Sequence, residues 1–594
     1  MAATFQPEHM PGYVLPKYEF HRPPELLGAA SPLYPVAIVG AGLAGLVTAL
    51  ELASRGVTCV LLDDDDTVGA QGLSSRGICH AKRSLEIYDR FGVAERIRAK
   101  GVTWNEGDVF VRGERIFRFN LQPEQDQKFP AFVNLQQFYV EQYLVEALAR
   151  VAPDALRWKN RVVDVKQQTD HVALTVETPV GRYGLRAQYV VAADGAHSVL
   201  REKLGAADEE SALFENIWCI ADVKLQGTPG AVRRSYLDAP ENGGGAIWYH
   251  QMADGVWRTD WLITHYADPE SEAKPGRAEA RLRKLLGPDT PFELVWVGPW
   301  RFRRRSLERM THGRVFFMGD AAAQHSPFGA RGGNRAVQDA NNLAWKLALV
   351  VQGKAAPALL ETYESERHFA ARENVEIASR SALFIAPETE GQRLVRDAWL
   401  ELARRHAWAR PMVNVGRLSV ASVYAHSPLN AERGAFASAL AQPGAAAPDG
   451  RYGAGHFAEQ LQGGFAVAYF GADGPAVSGA QVLQVPANGH DALFARYGVD
   501  GQATYVFRPD GHVLARCTGI DAAFAAAAID RSREGRSAGP AKAAKSLQPD
   551  ADRLFDRLGA RLDAIPASAR AEALARVVAR IEQAAGNLAA LAEV

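Results

Sequence analysis

Three glycines, Gly40, Gly42 and Gly45, follow the apolar run Pro35 to Val39 in G-x-G-x-x-G spacing, with Ala44 in the same turn. That spacing suits a dinucleotide. The first glycine permits a tight turn, the second lets backbone approach a pyrophosphate, and the third lets the next helix pack close to the strand. Leu46 to Ser54 reads as that helix, its N-terminal amides facing the phosphates. A second apolar run, Thr58 to Leu62, ends at Asp63. A carboxylate there accepts both hydroxyls of a ribose, which favours FAD or NAD over NADP. Asp64 is counted with the candidate contacts, although one carboxylate suffices and the run on to Asp66 reads as a solvated loop.

Two further segments carry the same kind of chemistry. Val315 to Met318 reads as a buried strand closed by Gly319-Asp320, and Asp320 is placed to hydrogen-bond a ribityl hydroxyl. Pro327 to Asn334 then turns into a helix running to about Val351. The amides of Gly332, Gly333 and Asn334 would open that helix and stabilise negative charge on a reduced flavin. Arg331, in the same loop, adds a positive charge toward reduced flavin or NAD(P)H. Between the two lies YVVAADGAHSVLREKLG, a strand followed by Asp194-Gly195 and a helix carrying Ser198 and Arg201.

A GxGxxG unit, a DG segment and a GD segment in this order resemble the class A, single-component FAD-dependent aromatic hydroxylases typified by p-hydroxybenzoate hydroxylase. The stretch from LLDDDD through SSRGICHAKRSLEIYDRFGV to FVNLQQFYVEQYLVEAL is most similar to the 3-(3-hydroxyphenyl)propionate hydroxylase-like subgroup. The resemblance covers residues 20 to 385 well and the rest loosely. It implies that Arg76 meets the FAD pyrophosphate and that Gln137, or its neighbour Gln136, starts a helix closing over FAD. It implies further that Asp194 serves both FAD and the pyridine nucleotide, that Asp320 meets the ribityl chain, and that Pro327 lies beside the flavin's reactive edge. Many relatives carry His at the position of Ala323; here His325 is nearby instead. The implied reaction uses O2 and NADH or NADPH, forms a flavin C4a-hydroperoxide and hydroxylates a small phenolic substrate. No second G-x-G-x-x-G is present, and the family needs none.

These residues require an α/β fold: a Rossmann-like FAD-binding domain interleaved with an antiparallel-sheet substrate domain. The FAD-binding domain is expected over residues 31–102, 134–212 and 303–385, after an N-terminal arm over 1–30. The substrate domain is expected over 103–133 and 213–302. Its strands read as a hairpin around Gly113-Glu114 and as runs over Ile217 to Leu225, Val232 to Leu237, Ala246 to Gln251, Trp257 to His265 and Glu293 to Arg301. Trp248, Tyr249, His250, Tyr236, Trp257 and Trp261 are candidates for its ligand face, weighed against ordinary core packing. His250 with Tyr249 is the candidate catalytic partner of a phenol, with Pro327 at the flavin. Arg258, or the cluster Arg301 to Arg305, is a candidate for a substrate carboxylate. A helical connector (386–425), a C-terminal domain (426–534) that the resemblance makes thioredoxin-like, and a helical tail (535–594) complete the chain. The tail reads as a helical hairpin on a partner subunit, or as a surface tail.

With 594 residues the chain is long enough for several domains. A net charge of −1 gives no electrostatic case for nucleic acid or an anionic membrane. No apolar run is long enough to span a bilayer, and the start lacks a basic-then-apolar signal pattern. The four cysteines show no metal-ligand spacing, so no metal is expected and a reducing cytoplasm fits. A homodimer is expected. Two other readings stay open: a related flavoenzyme performing epoxidation or oxidative cleavage, and a non-catalytic flavin-binding protein. A halogenase would need a W-x-W-x-I-P segment, which is absent.

Overall fold

The computed structural model describes residues 13–28, 31–69, 77–225, 233–263, 268–461, 463–535 and 550–592. Val36 to Val39 of the strand Leu33–Val39, Cys59–Leu62 and Val315–Phe317, together with the end of Gly181–Ala192, are apolar and buried. Strands covered on both faces pair in parallel, and these do. The sheet runs Thr311–His312, Val315–Phe317, Gly181–Ala192, Leu33–Val39, Cys59–Leu62, Leu156–Arg157, with Arg161–Gln167 and Val172–Thr178 as an antiparallel extension. Its register aligns the strand ends: Val39 with Leu62 and Ala192, and Ala192 with Phe317. Gly40, Asp63, Asp194 and Gly319 therefore emerge side by side at the carboxyl edge, where open α/β sheets bind ligands. The helices Leu43–Ser54 and Gly332–Val351 are tied together, Asn341 Nδ2 donating to Glu51 Oε1 at 2.9 Å.

The second sheet has eight strands in the order Ala323–Gln324, Phe292–Leu307, Asp208–Leu225, Val256–Ile263, Ile247–Gln251, Arg233–Leu237, Glu106–Val111, Glu114–Asn120. All neighbours are antiparallel except Arg233–Leu237 with Glu106–Val111. Ala323–Gln324 belongs to the loop after Gly319-Asp320 and pairs with Arg305 and Ser306, stitching that loop to this sheet. The hairpin turn falls one residue earlier than the sequence suggests. Arg112 and Gly113 both have positive φ, 51° and 84°, as a two-residue turn requires. Val232 and His265 lie outside the described residues.

A five-stranded sheet, Ala431–Arg433, Val513–Thr518, Ala503–Phe507, Phe465–Phe470, Ala480–Val485, forms the C-terminal third. The connector is less helical than expected. Glu390–Arg405 and Ala407–Met412 are helical, but from Val413 the chain is irregular, held by contacts to the loops it crosses. The closing helices Asp550–Asp563 and Ala567–Ala592 pack on Glu390–Arg405 of their own chain, burying Trp399, Phe555, Leu558, Leu562 and Leu574. The N-terminal segment lies on the first sheet's layer, Tyr13 stacking on Phe138 and Tyr18 on Trp158. Among the described residues no helix is long and apolar enough to cross a membrane.

Candidate active site

The glycine loop is shaped by contacts that leave no room for side chains. A Cβ on Gly40, whose φ is +100°, would sit 2.4 Å from Ala193 O, and one on Gly45 would sit 1.8 Å from Gly40 O. Gly42 is open; its nearest neighbour would be Glu141 Oε1 at 3.9 Å. A loop packed at its first and third glycines and open at its second leaves backbone exposed for a pyrophosphate. Asp63 accepts the amides of Ala41 (2.5 Å) and Asp65 (2.9 Å), which fixes its carboxylate beside this loop. Burial pushes its pKa up to about 6 against those two amides. Asp64 is exposed. Ala44 lies against Gly319, where an added Cβ would be 3.6 Å from Ala44 Cβ, so the first and third motifs meet.

Asp194 accepts Leu200 N at 3.1 Å through Oδ2, while its buried Oδ1 has no partner. Desolvation raises its pKa. Gly319 (φ +55°) donates to Asp339 Oδ2 at 3.0 Å, and Asp320 is exposed beside it. Gly332 and Gly333 open the helix Gly332–Val351, with Gly332 free of close neighbours. The Asn334 side chain does not point into this space. Its Oδ1 accepts Ala81 N (2.9 Å) and Ser84 Oγ (2.6 Å), and its Nδ2 donates to Cys79 O and Ala330 O. Pro327 is exposed at the turn closed by Ala330 N donating to Pro327 O at 2.9 Å. His325 donates Nδ1–H to Ser326 O at 2.9 Å, leaving Nε2 buried and unpartnered; burial lowers its pKa to about 3.

Three expectations change here. Arg331 was expected to offer its charge to flavin or nucleotide. Instead its guanidinium is buried and donates to Arg417 O (2.9 Å), Asn374 Oδ1 (2.8 Å) and Leu418 O (3.2 Å), pinning the loop. Burial lowers its pKa to about 10. Of the two glutamines, Gln137 faces the dinucleotide side, accepting Gly77 N at 3.1 Å and donating to Glu141 Oε1 at 2.7 Å. Gln136 is fully buried and donates to Ala253 O at 3.3 Å. Arg76 lies outside the described residues.

The third change concerns Tyr249 and His250, which adjoin on one strand and so point to opposite faces. Tyr249 packs with Trp257, Trp261 and Leu282 under the helix Pro275–Leu286, its hydroxyl donating to Leu285 O at 3.3 Å. Tyr236 packs in the same layer. His250 shares the other face with Trp248, Arg258 and Asp260. It cannot act together with Tyr249.

That other face is graded along the strands. At one end Trp218 and Trp248 meet Phe328 from the Pro327 loop, with centroids at 5.0 and 5.3 Å, and Phe302 closes the cluster. At the other end lie Arg233, His250, Arg258, Asp222 and Asp260. Arg258 is paired with Asp222 through two 2.8 Å bonds, so the substrate-carboxylate role expected of it is already filled internally. Arg233 is buried, its Nη2 donating to Val415 O at 3.4 Å and its guanidinium lying 6.0 Å from the centre of the Trp104 ring, while its Nε is unpartnered among the described residues. Ser235 Oγ, Trp248 Nε1, His250 Nδ1 and Asp260 Oδ1 are also buried without partners. Buried polar atoms are seldom left so, and these five gather on one face of the sheet. The sequence reading missed Arg233, Asp260, Trp218 and Phe328. The available signal was a charge at an inward position of an apolar strand, as in TDWLI, but strand register was needed to group them.

The donor set fits FAD: a glycine loop open at Gly42, a carboxylate fixed beside it at Asp63, a carboxylate at Asp194 with one oxygen unpartnered, and a helix N-terminus at Gly332. Comparison with known proteins agrees. The chain is 33% identical over 365 residues to aklavinone 12-hydroxylase of Streptomyces purpurascens, covering 57% of this chain and 66% of that protein. It is 29% identical over 383 residues to a 3-(3-hydroxy-phenyl)propionate/3-hydroxycinnamic acid hydroxylase of Burkholderia vietnamiensis, covering 62% and 66%. The chain thus matches a little under two thirds of these relatives' length. The fold matches a crystal structure of the flavin-dependent monooxygenase PieE in complex with FAD and substrate, with TM-score 0.70 at 21% identity over 90% of this chain and 100% of that one. Residues 33–378 match the FAD binding domain family, and the chain belongs to it.

Proposed function

We propose that the protein is an FAD-dependent monooxygenase that hydroxylates a phenolic aromatic ring with O2 and NAD(P)H. One observation carries the reading: Phe328, from the loop beside the flavin-binding helix, packs into Trp218 and Trp248 of the second sheet. This puts an aromatic wall and a polar row next to the place where flavin would present its reactive edge. Bound flavin supplies activated oxygen to an electron-rich ring. The chain's part is to hold the cofactor, keep out water and orient the ring. Gly40, Gly42, Gly45 and Asp63 would hold the adenosine half, Asp194 and Asp320 the middle, and the amides of Gly332 and Gly333 the ring system. The Trp218–Trp248–Phe328 cluster excludes water and stacks the substrate, while the polar row meets its oxygen. Pro327, exposed next to Phe328, would lie beside the flavin's reactive edge.

The C-terminal sheet supports a thioredoxin-like reading. Phe465–Phe470 pairs in parallel with Ala480–Val485 and antiparallel with Ala503–Phe507, which pairs antiparallel with Val513–Thr518. Its one cysteine, Cys517, is buried, which suits a structural role.

Stopped-flow reduction of bound FAD by NADH and by NADPH, with and without a panel of phenols, tests the main reading. Acceleration by a phenol, followed by one hydroxylated product per NAD(P)H, is the expected result. Reduction indifferent to every phenol, with no hydroxylated product, overturns it.

A further inference from the structure

The polar row on the second sheet contains more charge than its internal pairs use. Arg258 and Asp222 neutralise each other at 2.8 Å with side chains 6% and 0% exposed. That leaves Arg233 and Asp260. Arg233 is buried and, among the described residues, has no carboxylate within ion-pair distance. Asp260 keeps 23% of its side chain exposed, the most of the row, with Oδ1 unpartnered and Oδ2 4.0 Å from His250 Nε2. In the sheet register Asp260 stands directly opposite Trp248, whose ring meets Phe328. The one carboxylate open to a ligand is therefore a single cross-strand step from the aromatic wall.

We propose that Asp260 is the base that accepts the proton of the substrate's phenol, and that Arg233 holds the phenolate so formed. The inference rests on the hydroxylase reading. In the step, the phenol O–H bond breaks, its electron pair stays on oxygen, and the proton becomes the carboxylic acid of Asp260. The anion facing Arg233 passes from carboxylate to phenolate, so the buried charge does not change. A phenolate is the more electron-rich ring, which is what hydroxylation needs. His250 is not the base. It stands between the guanidinium groups of Arg233 and Arg258, and burial and both cations keep it neutral. The groups facing Asp260 are Arg258 on its own strand, Asp222 and His250 on the two neighbouring strands, Arg233 one strand beyond His250, and Cys79 from the strand Cys79–Ala81. Burial outweighs Arg258 and Arg233 and raises the Asp260 pKa to about 7, nearer to that of a phenol than an ordinary carboxylate's is.

The test uses oxidised holoenzyme without NAD(P)H and a panel of nitrophenols whose anions absorb visible light, at a pH above the value of about 7 at which Asp260 gives up its own proton and below each free probe's own pKa. Absorbance reports anion formed; an indicator in weak buffer reports protons released. Wild type should form bound anion with no proton released, because Asp260 keeps it. Asp260→Asn should still form anion beside Arg233 but release one proton per anion. Arg233→Met should bind the probes as neutral phenols. With a phenol that is turned over, Asp260→Asn should lower kcat about 100-fold. One proton released per anion in wild type, an unchanged proton count in Asp260→Asn, or neutral probe in wild type each overturn the assignment. If wild type hydroxylates phenols all the same, only the base falls. If no phenol binds or is hydroxylated, the hydroxylase reading falls with it.

Discussion

Glu141 is a buried carboxylate beside the glycine loop that, among the described residues, meets no cation. Its neighbours are Gln137 Nε2 (2.7 Å) and Gly69 N (2.8 Å). Burial, aided by Asp63, raises its pKa from 4.5 to about 7 against those two hydrogen bonds. The folded protein therefore keeps a proton that the unfolded chain gives up. This stability is complete below pH 4.5 and is lost as pH rises toward 7, by at most about 3 kcal/mol. Glu141→Gln should remove that loss: flavin-free wild type and variant should melt alike below the window, and the variant higher above it. A Tm difference that does not change with pH would contradict this. Tyr249 makes the opposite kind of prediction. Among the described residues its hydroxyl meets only Leu285 O, on the far face, so Tyr249→Phe should cost about 1 kcal/mol in urea unfolding and leave kcat essentially unchanged. A large fall in kcat would mean that the two faces are coupled. The parity separating Tyr249 from His250 was legible in the sequence, since strand neighbours point apart. The grouping of Arg233 with Asp260 was not, because they sit on different strands and meet only through register.

At the scale of elements, one irregular turn joins the cofactor layer to the C-terminal sheet. Glu364–His368 is a π-helical turn, and its extra residue lets adjacent side chains both face inward. Glu366 takes Arg508 (2.7 and 3.0 Å), Lys346 (2.8 Å) and Asn342 (2.6 Å). Arg367 takes Asp339 and Tyr424, both at 2.6 Å, and Asp339 in turn receives Gly319 N. All the charged groups are fully buried. Removing one partner from such a network strands a charge, so Arg508→Met should cost about 3–5 kcal/mol in urea unfolding. A cost below about 1 kcal/mol would show that the network relaxes around the loss. The parallel strands and the helix after Gly332 could be read in advance because burial on both faces and a glycine-rich helix start leave local patterns. The turn at ESERH leaves none: its residues read as ordinary helix, and its geometry answers to Arg508, far along the chain. The connector departs from helix for the same reason, since residues after Met412 are shaped by distant partners rather than by local period.

At the scale of the whole molecule, the last helices reach the flavin loop through two arginines. Asp552, on Asp550–Asp563, is buried and binds Arg417 Nε and Nη2 at 3.2 and 2.9 Å. Arg417 O accepts Arg331 Nε at 2.9 Å, and a Cβ on Gly329 would sit 2.2 Å from that same oxygen. The loop from Pro327 to Gly332 is thus clamped from outside, by a contact between residues more than a hundred positions apart that no local pattern announces. Asp552→Asn keeps the shape but removes the charge holding Arg417. If the clamp sets the loop, FAD affinity should fall about tenfold, equivalent to 1.4 kcal/mol, when flavin fluorescence is titrated with apo-protein. Trp399→Ala damages the same helical pair at its apolar seam, away from Arg417, and should lower Tm while leaving FAD affinity nearly unchanged. The contrast between the two variants decides the matter. Equal losses of affinity would mean that the closing helices act only as general support. A selective loss in Asp552→Asn would make them part of the cofactor site they never touch.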